Sequence, residues 1–234
     1  MYTEKIVVLI PCYNEEKTIK KVIEDFSNEL PQAQIYMYDN NSTDRTVEVV
    51  KNLNKNVIIA NEYNQGKGNV VRRMFNEIDA DVYILVDGDD TYPAEAINQL
   101  LLPIIEKRAD MTVGDRLSNE SYKNTNKRMF HEFGNNIVKK LINFIFNSNI
   151  NDVMSGYRVF NKSFVKSIQI QSNGFEIETE MTIFALENQL RIEEIPIEYR
   201  DRPKGSHSKL HTIKDGIKII KKILSYKYNW KMKK

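Results

Sequence analysis

Through the first half of the chain, apolar runs of strand length alternate with segments of helical period, and this alternation constrains the fold more than any other feature. "KIVVLI" precedes a helical pattern from Glu15 to Leu30, "QIYMYD" one from Thr43 to Leu53, and "VIIA" one from Gly68 to Ile78. "DVYILVD" then precedes one from Pro93 to Lys107, before "DMTVGD". Strands joined through helices need crossover connections, so the pattern predicts an α/β fold with a mostly parallel central sheet flanked by helices. The second half is less regular, with helices expected at 126–147, 161–168 and 174–189, a strand at "RIEEIPIEY" and a lysine-rich helix at the end. No repeat or low-complexity linker interrupts the chain. Residues 1–210 therefore read as a single domain, and 211–234 as a basic amphipathic helix that belongs to it or touches a membrane surface.

Composition narrows the setting. With 41% apolar and 28% charged residues the chain has a globular balance. The single cysteine, Cys12, excludes a disulfide framework, and no leader-like segment or run of about 18 apolar residues occurs. A cytoplasmic setting without a membrane-spanning helix is the expectation, and no nucleic-acid partner is expected. The net charge of +2 is unevenly spread. Residues 211–234 hold eight lysines against Asp215 alone, which is +7 and leaves about −5 for the remainder.

In an open α/β sheet, ligands bind beyond the carboxyl ends of the strands. Four polar clusters fall there: "PCYNEE", "DNNSTDRT", "NEYNQGKGN" and "DGDD". In the last, Asp87 and Asp89 can face one point across Gly88, and a bound Mg²⁺ or Mn²⁺ would cancel their repulsion. The competing reading is an acidic turn that caps the helix beginning near Pro93, which itself suits a first-turn position. Asp39 can accept hydrogen bonds from a base or ribose, while Ser42, Thr43 and Asp44 can cap the next helix. Gly66-Lys67-Gly68 offers flexible backbone and a cation suited to phosphate, yet it lacks the spacing of a P-loop. Cys12 reads as a small buried hydrophobe, and His131, His207 and His211 show no metal-ligand spacing.

The ordered series "PCYNEE", "DNNSTDRT", "NQGKGN", "VDGDDTYP", "VGDR", "DVMSGYRVF", "GFEIETE" and "IPIEYRDRPKGSHSKL" resembles family 2 glycosyltransferases of the GT-A fold. Within them it is most similar to the dolichol-phosphate mannose synthase and polyprenyl-phosphate glycosyltransferase branch, over residues 5 to about 210. The resemblance implies a GT-A (Rossmann-like) single domain that moves a sugar, with inversion, from a UDP- or GDP-linked donor. Pro11, Tyr13 and Glu15 then match the first nucleotide-contact loop and Asp39 the acid that contacts the nucleotide. Lys67 and Gly88 join them on the donor side. Asp87 and Asp89 match the D-x-D pair that holds the metal, with Thr91 standing where the branch often has a metal-touching glutamine. Arg116 matches the arginine of a G-S-R motif, with Asp115 in place of the serine. Arg202 and Lys209 match the basic residues of a D-R-x-x-G-x-S-K-L segment, into which this chain inserts one residue.

The acceptor divides the possibilities. A lipid phosphate is already anionic and needs cations, for which Arg116, Arg158, Arg202 and Lys209 are candidates, although Arg158 suits a surface ion pair equally well. A sugar hydroxyl would need a carboxylate base, for which Asp152, Glu176, Glu178 and Glu180 are candidates. The expectation is the lipid phosphate, with transfer to a polysaccharide or glycolipid hydroxyl second and a non-catalytic nucleotide-sugar-binding module third. Ile213, Ile217, Ile220 and Leu224 line one face of the terminal helix, with Tyr226, Tyr228 and Trp230 following. That face either packs on the domain or lies on an anionic bilayer, and it leads to the expectation of peripheral attachment at the inner membrane face, directly or through a separate membrane protein.

Overall fold

A computed structural model describes residues 3–118, 129–203, 205, 209 and 212–232; side chains at 129–133, 212–214 and 227–232 lie outside that description. Among these residues seven strands form one sheet in the order β3-β2-β1-β4-β6-β5-β7. They are β1 Ile6–Cys12, β2 Gln34–Asp39, β3 Val57–Asn61, β4 Val82–Leu85, β5 Met111–Asp115, β6 Arg158–Asn161 and β7 Ile192–Pro196. All pairings are parallel except those of β6, which runs antiparallel between β4 and β5. The strand at β6 is absent from the sequence expectation. It is four residues long, too short for any periodicity to register.

The helices among the described residues are α1 Ile19–Glu29, α2 Thr46–Lys51, α3 Lys67–Glu77, α4 Ile97–Ile105, α5 Met129–Phe146, α6 Lys162–Ser167, α7 Ile177–Glu187 and α8 Thr212–Met232. Alternate residues of β1 enter opposite layers. Ile6, Val8 and Ile10 pack with α1 and α4, while Val7 and Leu9 pack with α3, α6 and α7. Both faces of β1 are therefore covered, which is why its sequence is continuously apolar. α1 buries Ile19, Val22, Ile23 and Phe26, the stripe of a helix lying on a sheet.

Two expectations are corrected. Pro93 lies outside α4, in extended conformation before the short 3₁₀ turn Ala94–Ala96, and no side chain caps either element. The capping reading of "DGDD" thereby falls away. Arg158 is fully buried and is neither a surface ion pair nor available to a phosphate. Its guanidinium donates to the carbonyls of Ser155 (2.8 Å) and Val153 (2.6 Å) and to Thr182 Oγ1 (3.0 Å). Burial lowers its pKa to about 10, with the charges of Glu178 and Asp152 opposing that shift. Arg158 fixes the backbone of the loop that carries Asp152.

A third cluster joins α5, α7 and α8 through Val138, Ile142, Ile145, Ile183, Ile219 and Ile223. The expected stripe of α8 is not the one that packs: Ile219 and Ile223 are inside, and Ile217, Ile220 and Leu224 are exposed. Ile213, Tyr228 and Trp230 lie outside the described side chains.

Candidate active site

The order of strands reverses at β1, with β2 and β3 to one side and β4 to the other, so β1 and β4 flank a topological switch point. The loops that leave their carboxyl ends are fastened together there. Thr18 donates to the carbonyl of Gly88 (2.7 Å), and a methyl group at Gly88 would stand 3.0 Å from Cys12 Sγ. Cys12 is buried, and burial first, then the charges of Glu15, Asp39 and Asp87, holds its thiol protonated. It behaves as a small apolar filler.

The first loop is pinned to the segment after β2. Asn14 N–H donates to Ser42 Oγ (2.9 Å), Glu15 N–H to Thr46 Oγ1 (2.8 Å) and Glu16 N–H to Asp44 Oδ2 (3.1 Å). Asp44 also accepts from the N–H of Thr46, the first residue of α2, although the cap position itself is Arg45, which makes no side-chain cap bond. Pro11 and Tyr13 are partly exposed at this rim. Asp39 is nearly buried; its Oδ2 accepts from Ser42 N–H (3.0 Å), and its Oδ1 is buried without a hydrogen-bond partner. A buried carboxylate oxygen in that state is costly unless a donor arrives.

The glycines beside Lys67 have a different purpose from a phosphate loop. A Cβ at Gly66 or Gly68 would stand 2.2 Å from the carbonyl oxygen of Asn173 or 2.3 Å from that of Ser172. Backbone therefore packs on backbone, and Lys67 is driven inward between Asp87 Oδ1 and Glu178 Oε1, 2.5 Å from each. Burial alone would lower the Lys67 pKa, but Asp87 and Glu178 outweigh it and raise the value. Asn40 holds the same loop, accepting from Gly66 N–H (2.6 Å) and donating to the carbonyls of Glu62 and Asn64. Neither the Lys67–Glu178 pair nor the role of Asn40 was read from sequence; glycines on both sides of one lysine were the available signal for close backbone approach.

Asp89 is nearly buried, and its Oδ1 accepts from Thr91 N–H (3.1 Å) and Thr91 Oγ1 (2.6 Å). Thr91 thus orients Asp89 and is itself fully buried. Asp89 Oδ2 pairs with Arg202, whose Nη1 lies 3.8 Å from Glu15 Oε1. Lys209 reaches the same Glu15 oxygen (2.6 Å) and the carbonyl of Asn14 (2.8 Å). Burial, then the charge of Asp87, raises the Asp89 pKa, and burial likewise raises that of Glu15 against the pull of Lys209. Among the described residues, five carboxylates (Glu15, Asp39, Asp87, Asp89 and Glu178) meet three cations (Lys67, Arg202 and Lys209) around this crevice. The formal excess is two negative charges.

Among the described residues no three His, Cys, Asp or Glu side chains form a closed metal cage. Two oxygen-bearing carboxylates with a two-charge excess still fit an open Mg²⁺ or Mn²⁺ site that a diphosphate completes.

Arg116 stands at the far end of β5. Its Nε and Nη2 donate to Asp152 Oδ2 (2.7 Å) and Oδ1 (2.8 Å), and its face lies over the Tyr199 ring. Asp115 is buried and accepts from Leu117 N–H and Ser118 N–H. Three of the four candidate bases are fully engaged, and Glu176 is held on Oε1 while its Oε2 is buried without a hydrogen-bond partner among the described residues. Asp152, with no exposed surface, is bound to Arg116 on both oxygens and cannot receive a substrate proton. Glu176 accepts from Asn173 and Gly174 N–H, and Glu178 belongs to Lys67. Glu180 accepts from Gln171 N–H, Ser172 N–H, Lys222 and Tyr226.

Residues 7–169 match the sequence profile described as Glycosyl transferase family 2. The chain belongs to that family. This transferase is 32% identical over 214 residues to glycosyltransferase AglJ of Haloferax volcanii, which covers 91% of this chain and 69% of that protein. It is 30% identical to UDP-N-acetylglucosamine–dolichyl-phosphate N-acetylglucosaminyltransferase of Methanococcus voltae, over 84% of this chain and 86% of that one. Its fold matches glucosyl-3-phosphoglycerate synthase from Mycobacterium tuberculosis in complex with UDP, at TM-score 0.76 and 16% identity, over 96% of this chain and 80% of that chain. The same synthase has also been solved with Mn²⁺ and UDP, where the TM-score is 0.73. The expected enzyme class and GT-A fold hold.

Proposed function

We propose that this transferase passes a sugar from a UDP-linked donor to a polyprenyl- or dolichyl-phosphate at the inner face of a membrane, inverting the sugar carbon. The observation that carries the acceptor assignment is the disposition of charge. Asp152, Glu178 and Glu180 are each committed to a cation and Glu176 is held on one oxygen by Asn173 and Gly174 N–H, whereas Arg202 and Lys209, paired with Asp89 and Glu15, bring two positive charges to the crevice where an arriving phosphate can share them. A phosphate oxygen needs no base, only cations to hold it.

In this reading a phosphate oxygen of the lipid attacks the anomeric carbon, the bond from that carbon to the nucleotide diphosphate breaks, and the nucleoside diphosphate leaves. Asp39, with one buried oxygen lacking a donor, accepts the ring N–H of the base. Tyr13 and Pro11 border that base, and Glu15 positions Arg202 and Lys209. Asp87 and Asp89 would hold Mg²⁺ or Mn²⁺, which would supply positive charge against the departing diphosphate. Lys67 holds Asp87 in place from behind, and Asp152 orients Arg116 for the acceptor phosphate. The relatives of this chain include a dolichyl-phosphate N-acetylglucosaminyltransferase, and the fold neighbour has been solved with UDP and Mn²⁺, both of which support this reading.

The test is a thermal-shift panel of UDP and GDP with and without Mn²⁺. UDP with Mn²⁺ at about 100 times its Kd stabilises by about 2.7 kcal/mol. The expected result is that this gain needs both components and is lost in Asp39→Ala. Equal stabilisation by GDP, or by UDP in EDTA, would overturn the donor assignment.

A further inference from the structure

The C-terminal helix presents an apolar stripe that no part of the described chain covers. Ile217 and Leu224 are each 50% exposed and Ile220 is 36% exposed, at spacings of three and four residues along one face of α8. The helix cannot roll this face inward, because Ile219 and Ile223 already fill the third core cluster and Lys222 and Tyr226 are tied to Glu180 at 2.9 and 3.2 Å. α5, packed against the same cluster, adds two more large exposed groups, Ile137 at 40% and Phe144 at 79%. Isolated exposed side chains are ordinary, but a stripe on a helix of otherwise basic character is a docking feature.

Charge identifies the occupant. Lys218 and Lys221 are exposed beside the stripe, and Lys140 lies on the exposed side of α5 between Ile137 and Phe144. The only acid in residues 211–234 is Asp215, which is buried and lies 3.7 Å from Lys218. A face that is apolar along its centre and cationic at its margins complements a surface with an apolar interior and anionic headgroups. Position supplies the purpose: Lys209 contacts Glu15 in the crevice, and α8 begins at Thr212, three residues later.

We infer that the outer faces of α8 and α5 lie on an anionic bilayer, with Ile217, Ile220 and Leu224 entering the headgroup layer and the flanking lysines bound to lipid phosphate. Its purpose rests on the lipid-phosphate reading above, but the surface itself stands on exposure and charge. Tyr226, expected from sequence to sit among the headgroups, is instead spent on Glu180.

The experiment is co-sedimentation of the full chain with vesicles of phosphatidylcholine alone or mixed with phosphatidylglycerol, free of any prenyl phosphate, at low and high salt. The wild type binds the mixed vesicles at low salt, weakly at high salt, and hardly binds the neutral ones. The triple variant Ile217→Ser/Ile220→Ser/Leu224→Ser lowers partitioning by about tenfold or more without moving the thermal midpoint, because no core atom is lost. Ile58→Ser, which removes another exposed isoleucine from the edge strand β3, leaves binding unchanged. Absence of binding to mixed vesicles at low salt overturns the inference, as does equal binding by the triple variant; a protein occupant would give the first of these results. Transfer to a short, water-soluble prenyl phosphate in free solution is kept by the triple variant. Vesicle binding with no such transfer by the wild type would overturn the acceptor assignment and leave the surface intact.

Discussion

The two halves of this molecule use charged residues in opposite ways. In the half built from β1 to β4, backbone and hydroxyl hydrogen bonds staple the loops at the strand ends, and the carboxylates at the crevice outnumber the cations there among the described residues. In the half built from β5 to α8, several charged residues point into the body and are consumed there, Arg158 on three oxygens, Asp152 on Arg116 and Glu180 on four donors, while Arg202 and Lys209 reach across to the crevice. The difference teaches that residue type alone does not mark a site. A buried charge with every lone pair or proton matched is architecture, and one left partly unmatched is a place for a ligand.

The largest expected effect breaks this comparison at its strongest point. Asp89→Asn removes a charge from the under-neutralised crevice, and turnover falls by about a thousandfold or more while the fold persists. A radiolabelled-sugar transfer assay beside a thermal melt checks both halves of that statement. Turnover within a few-fold of wild type would remove Asp89 from the metal site.

Arg202→Ala follows, with about 2–4 kcal/mol lost from kcat/KM and little change in melting, since Arg202 sits at the rim. Its counterpart is Arg158→Met, which strands the carbonyls of Val153 and Ser155. Unfolding in denaturant is expected to be easier by about 2–3 kcal/mol, with the KM for acceptor preserved in whatever protein folds. If Arg158→Met raised that KM selectively while stability held, the division between the halves would be wrong.

The smallest effects sharpen the account of α8. Ile223→Ala costs about 2 kcal/mol or more, because it opens a hole between α5, α7 and α8. Leu224→Ala, one residue on and half exposed, stays within about 0.5 kcal/mol in the same denaturant titration.

Much of the first half was legible in the sequence because parallel crossover units carry two periodicities at once, and because ligand loops fall at predictable strand ends. The D-x-D pair, Asp39 and the cationic segment at Arg202 and Lys209 all lie at the crevice that the pattern indicated. What stayed hidden depended on contacts between distant segments. β6 is held by register with β4 and β5 and has no pattern of its own. The packing of Ser172 and Asn173 against the Gly66-Lys67-Gly68 loop brings Lys67 between Asp87 and Glu178, a pairing that no local pattern announces. On α8, two isoleucine stripes compete, and only the position of Glu180 and of α5 decides that Ile219 and Ile223 go inside.

The central claim is that this crevice serves an acceptor that arrives already ionised. The most direct measurement supplies UDP-sugars and Mn²⁺ with either a polyprenyl phosphate or the same prenyl chain ending in a sugar hydroxyl, and identifies the products by mass. The account predicts a glycosyl phosphoryl lipid from the first and none from the second, abolished by EDTA. Product from the hydroxyl acceptor alone would contradict it.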